Sequence, residues 1–479
     1  LNTLRQIDTV VLLPTGAGKS FIYQLSGLLM PGITIVIDPI VSLMEDQVSG
    51  LQNYGIDKAI SLHSSKDLNL KLERVSKGEF HFIFHAPERL QSISFREKLM
   101  TLSQSTMINL AVIDEAHCVS EWGHDFRPAY LNVSRNIRSF CADRNRMPPP
   151  ILSLTGTASR SVLRDVLIDL GIDQDNEESV IRPESFDRNE LNFYVALCEP
   201  TYAESLLKGA LDNLPEKFSI PSTNFFAPAQ ENTFSGIVFV PHGRGNLGVN
   251  NTRDLVMDVT HEECNIYSGT NPFKNSGGDW ESRKRLEVRE FKENKISTLV
   301  STKAYGMGID KPNIRYTIHY GIPSSIESFY QEAGRAGRNR DIAHCGIIFS
   351  EFSEDRTNKL LDQSIDLEEL RSRYKELSRA ENDDVRNQLY FHLNSFTGAE
   401  KEIEHLQDAV NFINDFDSDR RVEINFGDID SEKTLFRLTK IGALEDYAVE
   451  YGRRTYSLKI TQFNLQSSKD ILLKYVAVT

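Results

Sequence analysis

Residues 114–130 read Asp-Glu-Ala-His-Cys-Val-Ser-Glu-Trp-Gly-His-Asp-Phe-Arg-Pro-Ala-Tyr. Asp114 and Glu115 are adjacent carboxylates, a pair that can hold Mg²⁺ and orient or deprotonate a water. The aromatic-rich loop that follows has ring faces of the kind on which bases stack. Near the start of the chain, Leu13-Pro-Thr-Gly-Ala-Gly-Lys-Ser20 supplies a complementary half. Its segment Thr15, Gly16, Ala17 and Gly18 is a tight loop whose N–H groups can face phosphate oxygens. Lys19 would reach the β- and γ-phosphates, and Ser20 would hold Mg²⁺ together with Asp114. Leu13 stands where the strict phosphate-loop pattern has its first glycine. Taken alone, Asp-Glu-Ala-His could be two solvated acids at a helix start; beside the Lys19 loop it reads as the second half of an ATP-hydrolysing site.

Such residues need rigid strand ends to carry them. Thr9–Leu13, Ile33–Ile37, Leu110–Ile113 and Ile151–Leu154 are apolar runs of strand length without alternation, as expected of parallel strands buried on both faces. Helical patterns over Ser42–Tyr54 and Arg160–Leu170 separate them, which predicts an open α/β sheet. Lys19 and Asp114 both follow strands of this set, and strand ends are where α/β sheets bind ligands. A second series, Leu191–Ala196, Gly236–Val240, Thr298–Ser301, Tyr316–Tyr320 and Cys345–Phe349, predicts a second α/β domain. Residues 214–235 and 270–280, rich in Pro, Asn, Ser, Gly and Phe, read as loops or insertions. Beyond Glu351 the chain turns charged and helical. Glu432–Ile441 then reads as a helix, with Ala443–Val449 and Thr455–Ile460 as strands about Tyr451-Gly452-Arg453, a pattern compatible with a winged helix. The expected divisions are 1–185, 186–352, 353–416 and 417–479.

With 479 residues, two or three domains are expected. Hydrophobic content of 40% and charged content of 25% are those of a soluble globular protein. No apolar run approaches the roughly 20 residues of a membrane span, so no membrane association is expected. No signal peptide is visible, and a sequence opening on leucine need not begin at the native start. Five cysteines without paired spacing argue against a disulfide framework and against a Cys-x-x-Cys zinc site, and fit a reducing compartment. The net charge of −14 counts against an overall basic nucleic-acid binder but not against a local basic channel.

In order along residues 3–350, the chain resembles superfamily 2 helicases, and the RecQ family in particular. Leu13–Ser20 resembles motif I, Asp38-Pro-Ile-Val-Ser-Leu-Met-Glu-Asp-Gln47 motif Ia, and His85-Ala-Pro-Glu-Arg-Leu90 the next DNA-side motif. Asp114–His117 resembles motif II, and Cys118–Tyr130 the aromatic-rich loop of RecQ proteins. Leu154-Thr-Gly-Thr-Ala-Ser159, Gly236–Val240, Ser301–Asn313 and Gln331-Glu-Ala-Gly-Arg-Ala-Gly-Arg338 resemble motifs III to VI. The resemblance implies two tandem RecA-like parallel-sheet domains followed by a C-terminal helical and winged-helix-like region. It makes Glu115 the residue that activates water, sets Arg335 and Arg338 at the γ-phosphate across the interdomain cleft, and counts Gln331 with Lys19 among the catalytic residues. Gly308 and Asp310 complete the nucleotide side, and Thr155 and Thr157 link hydrolysis to movement. Ser42, Gln47, Pro87, His117, Trp122, His124, Phe126 and Arg127 would contact single-stranded DNA or relay its presence. ATP and Mg²⁺ are the implied cofactors, single-stranded and tailed duplex DNA the implied partners, and 3′ to 5′ the implied polarity. The expected location is a bacterial cytoplasm, at the nucleoid, or a nucleus if the source is eukaryotic.

There are three departures. The family's adenine-reading glutamine lies upstream of motif I, and the sequence is expected to be truncated on that side. Residues 351–479 hold no cysteine, so the four-cysteine zinc module of many RecQ proteins is not expected, and no zinc with it. Residues 241–285 are longer than a lean motor needs, and the basic run Arg283, Lys284, Arg285, Arg289 and Lys292 reads first as a solvated helix face, with phosphate contact as the alternative. The C-terminal region is a candidate surface for a protein partner. Rival readings are a translocase that remodels protein–DNA complexes without separating strands, an ATP-binding subunit that recruits a nuclease, and an RNA-unwinding motor.

Overall fold

The computed structural model describes residues 1–14, 17–63, 67–121, 127–156, 159–273, 279–305, 311–378, 382–395, 398–416 and 420–461. Its first sheet holds β1 (Thr9–Leu12), β2 (Ile33–Ile37), β3 (Ala59–Leu62), β4 (Phe82–His85), β5 (Ile108–Ile113), β6 (Ile151–Thr155) and β7 (Val180–Ile181). All are parallel, in the order β3-β4-β2-β5-β6-β1-β7. Successive side chains go to opposite faces: Val10 and Leu12 join one apolar cluster and Val11 the other, as do Ile35 and Ile37 against Val36. Helices cover both faces, so each strand is apolar throughout and shows no alternation in sequence. The four-residue strands β3 and β4 add two members that the apolar runs did not reveal.

The second sheet contains β8 (Leu191–Cys198), β9 (Ser235–Phe239), β10 (Cys264–Tyr267), β11 (Thr298–Ser301), β12 (Ile314–Tyr320) and β13 (Ala343–Ser350), again all parallel, ordered β10-β11-β9-β12-β13-β8. Residues 214–235 are not merely loop. They form short helices over Leu214–Lys217 and Ser222–Phe225, with Leu214 and Phe225 fully buried. Phe218, Phe225 and Phe234 pack on one another, and Phe225 lies over Tyr316 of β12. The proline and polar turn residues there mark a loop, while the phenylalanines between them anchor the segment on the sheet without forming a periodic pattern. In the other expected loop, residues 274–278 lie outside the described residues.

The chain forms two compact units: one takes in Leu1–Leu13, Ala17–Glu184 and the part from 396 onward, the other Ser185–Ser395. The charged helical stretch is therefore divided. Helices Glu354–Leu360, Leu367–Glu376 and Asp384–Ser395 go with the second sheet. The carboxylate of Asp383 accepts from Phe352 N at 2.8 Å and from both terminal nitrogens of Arg356 at 2.9 and 3.0 Å. Asp383 is fully buried, so Asp383→Ala leaves a buried guanidinium uncompensated and should destabilise the protein by about 3–5 kcal/mol, read as a lower urea midpoint.

Helix Ala399–Ile413, strand β14 (Arg421–Asn425), helix Glu432–Lys440 and the hairpin β15 (Leu444–Glu450) and β16 (Thr455–Ile460) form a C-terminal module in the first unit. Its antiparallel sheet runs β14-β16-β15. Its core includes Leu406, Ile413, Leu435, Leu438, Tyr447 and Leu458, and takes in Leu131 from the segment after the aromatic-rich loop. Among the described residues no helix is long and apolar enough to cross a membrane.

Candidate nucleotide and nucleic-acid site

Gly18 caps helix Lys19–Leu29 at φ 84°, a conformation open to glycine without strain. Lys19 thus projects from the positive end of a helix that follows β1. Its Nζ lies 3.1 Å from both Oε1 and Oε2 of Glu115. Glu115 follows β5 in a left-handed conformation, φ 47°, unusual for a residue with a side chain. Asp114 N donates to Ile37 O of β2 at 2.9 Å, and Ala116 N to Leu154 O of β6 at 2.8 Å. Two neighbouring strands therefore hold the acidic pair, one on each side.

The Lys19 ammonium pulls the pKa of both Asp38 and Asp114 down, and the Asp114 and Glu115 carboxylates push that of Asp38 up. Burial and the neighbouring Asp114 carboxylate hold Asp38 well above the usual carboxylate range. Burial pushes Asp114, 8% exposed, up to about 6, against the pull of Lys19. Among the described residues no group of three or more His, Cys, Asp or Glu side chains is arranged to hold a metal ion; a cation bound beside Asp114 would favour its ionised form. Ser20 and Asp114 are the residues that would hold Mg²⁺. Asp38, at the end of β2, escaped the sequence reading as a member of this cluster; its signal was an acid directly after an apolar strand.

The site is connected to the next strand. His117 Nδ1 lies 3.1 Å from Thr155 Oγ1 at the end of β6 and 3.5 Å from Glu115 Oε2. Burial lowers the pKa of His117, so it is neutral near pH 7. Leu13 N donates to Thr155 O at 3.0 Å, so the same threonine touches the strand entering the phosphate loop.

On the expected DNA side, Arg127 Nε donates to Glu88 Oε1 and Arg127 Nη1 to Pro39 O, both at 2.7 Å. It joins motif Ia to the 3₁₀ turn Pro87–Gln91. Pro87 is buried as the first residue of that turn, so it shapes the turn. Ser42 is exposed in the first turn of helix Val41–Asn53. The amide oxygen of Gln47 accepts from Tyr23 Oη at 3.0 Å and Gln24 Nε2 at 3.1 Å, tying it to the helix that begins at Lys19. Thr15, Gly16, Trp122, His124, Phe126, Thr157, Gly308 and Asp310 lie outside the described residues.

In the second unit, helix Ile326–Ala333 carries Gln331, and the turn after it carries Arg335, 3% exposed, and Arg338. Two devices absent from the sequence reading fix that turn. Arg188 donates to the carbonyls of Gly334, Ala336 and Gly337 at 3.2, 2.9 and 3.1 Å. His319 Nε2 of β12 lies 2.8 Å from Glu332 Oε2, its ring stacked on Phe239. Neither pair has a short-range sequence signal, since each partner is set by the fold. In the basic run, Arg283 pairs with Glu287 and Lys284 with Glu281 within helix Trp280–Lys292.

A DEAD/DEAH box helicase profile matches residues 1–166, and a helicase conserved C-terminal domain profile matches 256–340. Among solved folds, the DUF1998 helicase MrfA bound to DNA aligns with 98% of this chain and 57% of its own at a TM-score of 0.53 and 19% identity. The DEAD-box helicase Mss116 bound to single-stranded RNA aligns over 86% of this chain and 78% of its own, at a TM-score of 0.54 and 15% identity. At those identities the likeness is one of fold. Two parallel-sheet RecA-like domains bearing the helicase motifs in order define a superfamily 2 helicase.

Closer relatives in sequence narrow the class. The ATP-dependent DNA helicase RecQ of Bacillus subtilis is 32% identical over 351 residues, covering 72% of this chain and 51% of that protein. The probable ATP-dependent DNA helicase RecS of the same organism is 35% identical over 338 residues, covering 69% and 59%. In sequence the chain is similar to these RecQ-type helicases, and it spans between half and three-fifths of the length of these two relatives.

Proposed function

We propose that this chain is an ATP-dependent DNA helicase of RecQ type that translocates 3′ to 5′ on single-stranded DNA and opens tailed duplexes, in repair, recombination or genome defence. The observation that carries the reading is the Lys19–Glu115–Asp114 cluster joined through His117 to Thr155. The proposed location is the cytoplasm, at the nucleoid, or the nucleus in a eukaryote.

In this mechanism the phosphates of ATP draw the Lys19 ammonium away from Glu115, helped by the N-terminal end of helix Lys19–Leu29. Glu115, released from its ion pair, orients the attacking water and takes its proton. Mg²⁺, when bound, supplies Lewis-acid neutralisation of phosphate charge. Asp114 and Ser20 would provide its oxygen ligands, and Asp38, once ionised in the presence of the cation, would add negative charge to the site. Arg335 and Arg338, held by Arg188 and the His319–Glu332 pair, are assigned the charge that develops on the γ-phosphate. His117 and Thr155 pass the state of the acidic pair to β6 and the phosphate-loop strand, and Arg127 ties the DNA-side turn to motif Ia. Gln331 is assigned the nucleotide side as well, and the loop at Trp122, His124 and Phe126 the bases.

Steady-state ATP turnover with and without single-stranded DNA, beside strand release from tailed duplexes, tests the reading. DNA-stimulated turnover with strand release supports it; turnover indifferent to DNA rejects it. One observation favours a second reading, a translocase that strips bound proteins without separating strands: residues 351–479 lack the cysteines of the zinc module. Displacement of streptavidin from biotinylated DNA without strand release would favour it.

The acidic cluster also sets a pH dependence. Asp114, with its carboxyl at about 6, is protonated at lower pH, and a proton there competes with the cation. The Mg²⁺ concentration needed for half-maximal turnover should rise up to ~10-fold per pH unit below about 6 and be flat above about 7. For the fold the sign is opposite to that of an ion-paired acid. Asp114 is raised above its unfolded value, so its contribution is favourable at low pH and is lost as pH rises through about 6. Added Mg²⁺ should therefore raise the melting temperature more at neutral than at acid pH.

A further inference from the structure

The C-terminal module meets the first domain along a seam organised by one buried side chain. Arg96, in helix Ile93–Ser105, is 3% exposed. Its guanidinium donates to Leu90 O at 2.6 Å, Gln91 Oε1 at 2.8 Å, Asn136 Oδ1 at 3.1 Å, Tyr447 O at 3.0 Å and Asp446 Oδ2 at 3.0 Å. It also lies 4.8 Å from the ring centre of Phe140. Three elements meet at this residue: the DNA-side turn Pro87–Gln91, the helix Val133–Phe140 that follows the aromatic-rich loop, and β15 of the module. Around it, Asn132 Nδ2 donates to Tyr447 Oη at 2.5 Å, and Ile93 N donates to Glu450 Oε1 at 3.1 Å. Arg135 reaches Asp446 at 3.2 Å.

This seam is unlike a domain core cut in two. Among the described residues, Gln91 Nε2, Asn132 Oδ1, Asn136 Nδ2 and Glu432 Oε1 are buried there without a hydrogen-bond partner. Polar seams of this kind add little net stability, because desolvation offsets the pairing, but they admit only one geometry. Two of the segments so fixed have little regular structure of their own. Pro87–Gln91 and Pro128–Asn132 are both 3₁₀ turns, whose hydrogen bonds are intrinsically poor. Arg127, in the aromatic-rich loop directly before the second turn, is the residue that bonds Glu88 and Pro39.

We propose that the C-terminal module is a built-in brace for the DNA-side face of the first domain, with Arg96 as its positioning residue. Docking of β15 holds the turn Pro87–Gln91 and the segment Arg127–Asn136 in one arrangement, and that arrangement carries the presence of DNA to Glu115. The inference rests on the reading of the chain as a DNA-stimulated ATPase. Arg96 lies outside the nucleotide cluster, so its loss uncouples the two sites and leaves basal hydrolysis in place.

The test uses the full chain with Arg96→Gln, Asp446→Asn, Asp446→Glu and Tyr447→Phe. Basal turnover should stay near that of the unaltered chain. Turnover at saturating single-stranded DNA should fall by about tenfold in Arg96→Gln and Asp446→Asn, with little change in the DNA concentration for half-stimulation. Asp446→Glu, which keeps the charge, should recover part of the stimulation. Amide hydrogen exchange should quicken at residues 88–93 and 128–136 and stay unchanged around Lys19. If Arg96→Gln does not fold, Asp446→Asn and Tyr447→Phe leave the first domain's own contacts to Arg96 intact and carry the same comparison. Unchanged exchange in those segments overturns the brace, and so does full DNA stimulation alongside quickened exchange. Absence of DNA stimulation in the unaltered chain would be failure of the functional reading instead; quickened exchange at the two turns would then still support the brace.

Discussion

Arg338→Ala, and separately Arg335→Ala, should cut DNA-stimulated ATP turnover by ~10³–10⁵-fold, the range for arginines that neutralise charge on a transferring phosphoryl group. The loss should fall on kcat, with ATP binding weakened much less, because the charge they meet develops in the transition state. Lysine at either position should recover little, since a point charge does not reproduce the guanidinium fork. The structure gives this prediction a control. Arg188 holds the same turn through three carbonyls but has no assigned role at the phosphate. Arg188→Ala should therefore lower turnover less than either arginine of the turn, and thermal stability more. Equal kinetic losses in all three variants would mean that the turn is merely structural.

Glu115→Gln is expected to lower turnover by ~10²–10⁴-fold, as loss of a general base does. The amide is close to isosteric, so ATP should still bind, and bind with the Lys19 ammonium freer to move. In the unaltered chain both Glu115 oxygens lie 3.1 Å from Lys19 Nζ, and the phosphates must compete for that ammonium. The variant should thus show an unchanged or lower KM for ATP beside its collapsed kcat. Fluorescent-nucleotide binding and single-turnover hydrolysis separate the two quantities. A variant with raised KM and near-normal kcat would place Glu115 in binding and leave the water without its base.

The legible parts of the fold were those where both faces of a strand are buried. β1, β2, β5 and β6 each read as an unbroken apolar run, and Asp114 and Lys19 sit at the ends of two of them. β3 and β4 are equally buried and, like β1, four residues long, but polar segments beside them diluted the signal. The residues proposed for the nucleotide were visible as candidates because their spacing is local: Gly18, Lys19 and Ser20 are consecutive, as are Asp114 and Glu115. Asp38, Arg188 and the His319–Glu332 pair were not, because each gains its role from a partner far along the chain. The C-terminal module shows the same limit. Its helix and hairpin were visible in the pattern, whereas its attachment through Arg96 and Asp446 joins residues 350 positions apart.

The most direct measurement of the central claim is strand release from a 3′-tailed duplex by the unaltered chain, with ATP and Mg²⁺, beside a 5′-tailed duplex and the Glu115→Gln variant. The account predicts ATP-dependent release from the 3′-tailed duplex, much less from the 5′-tailed one, and none with Glu115→Gln. No release from either duplex, under conditions where the chain hydrolyses ATP at a rate indifferent to DNA, would contradict it.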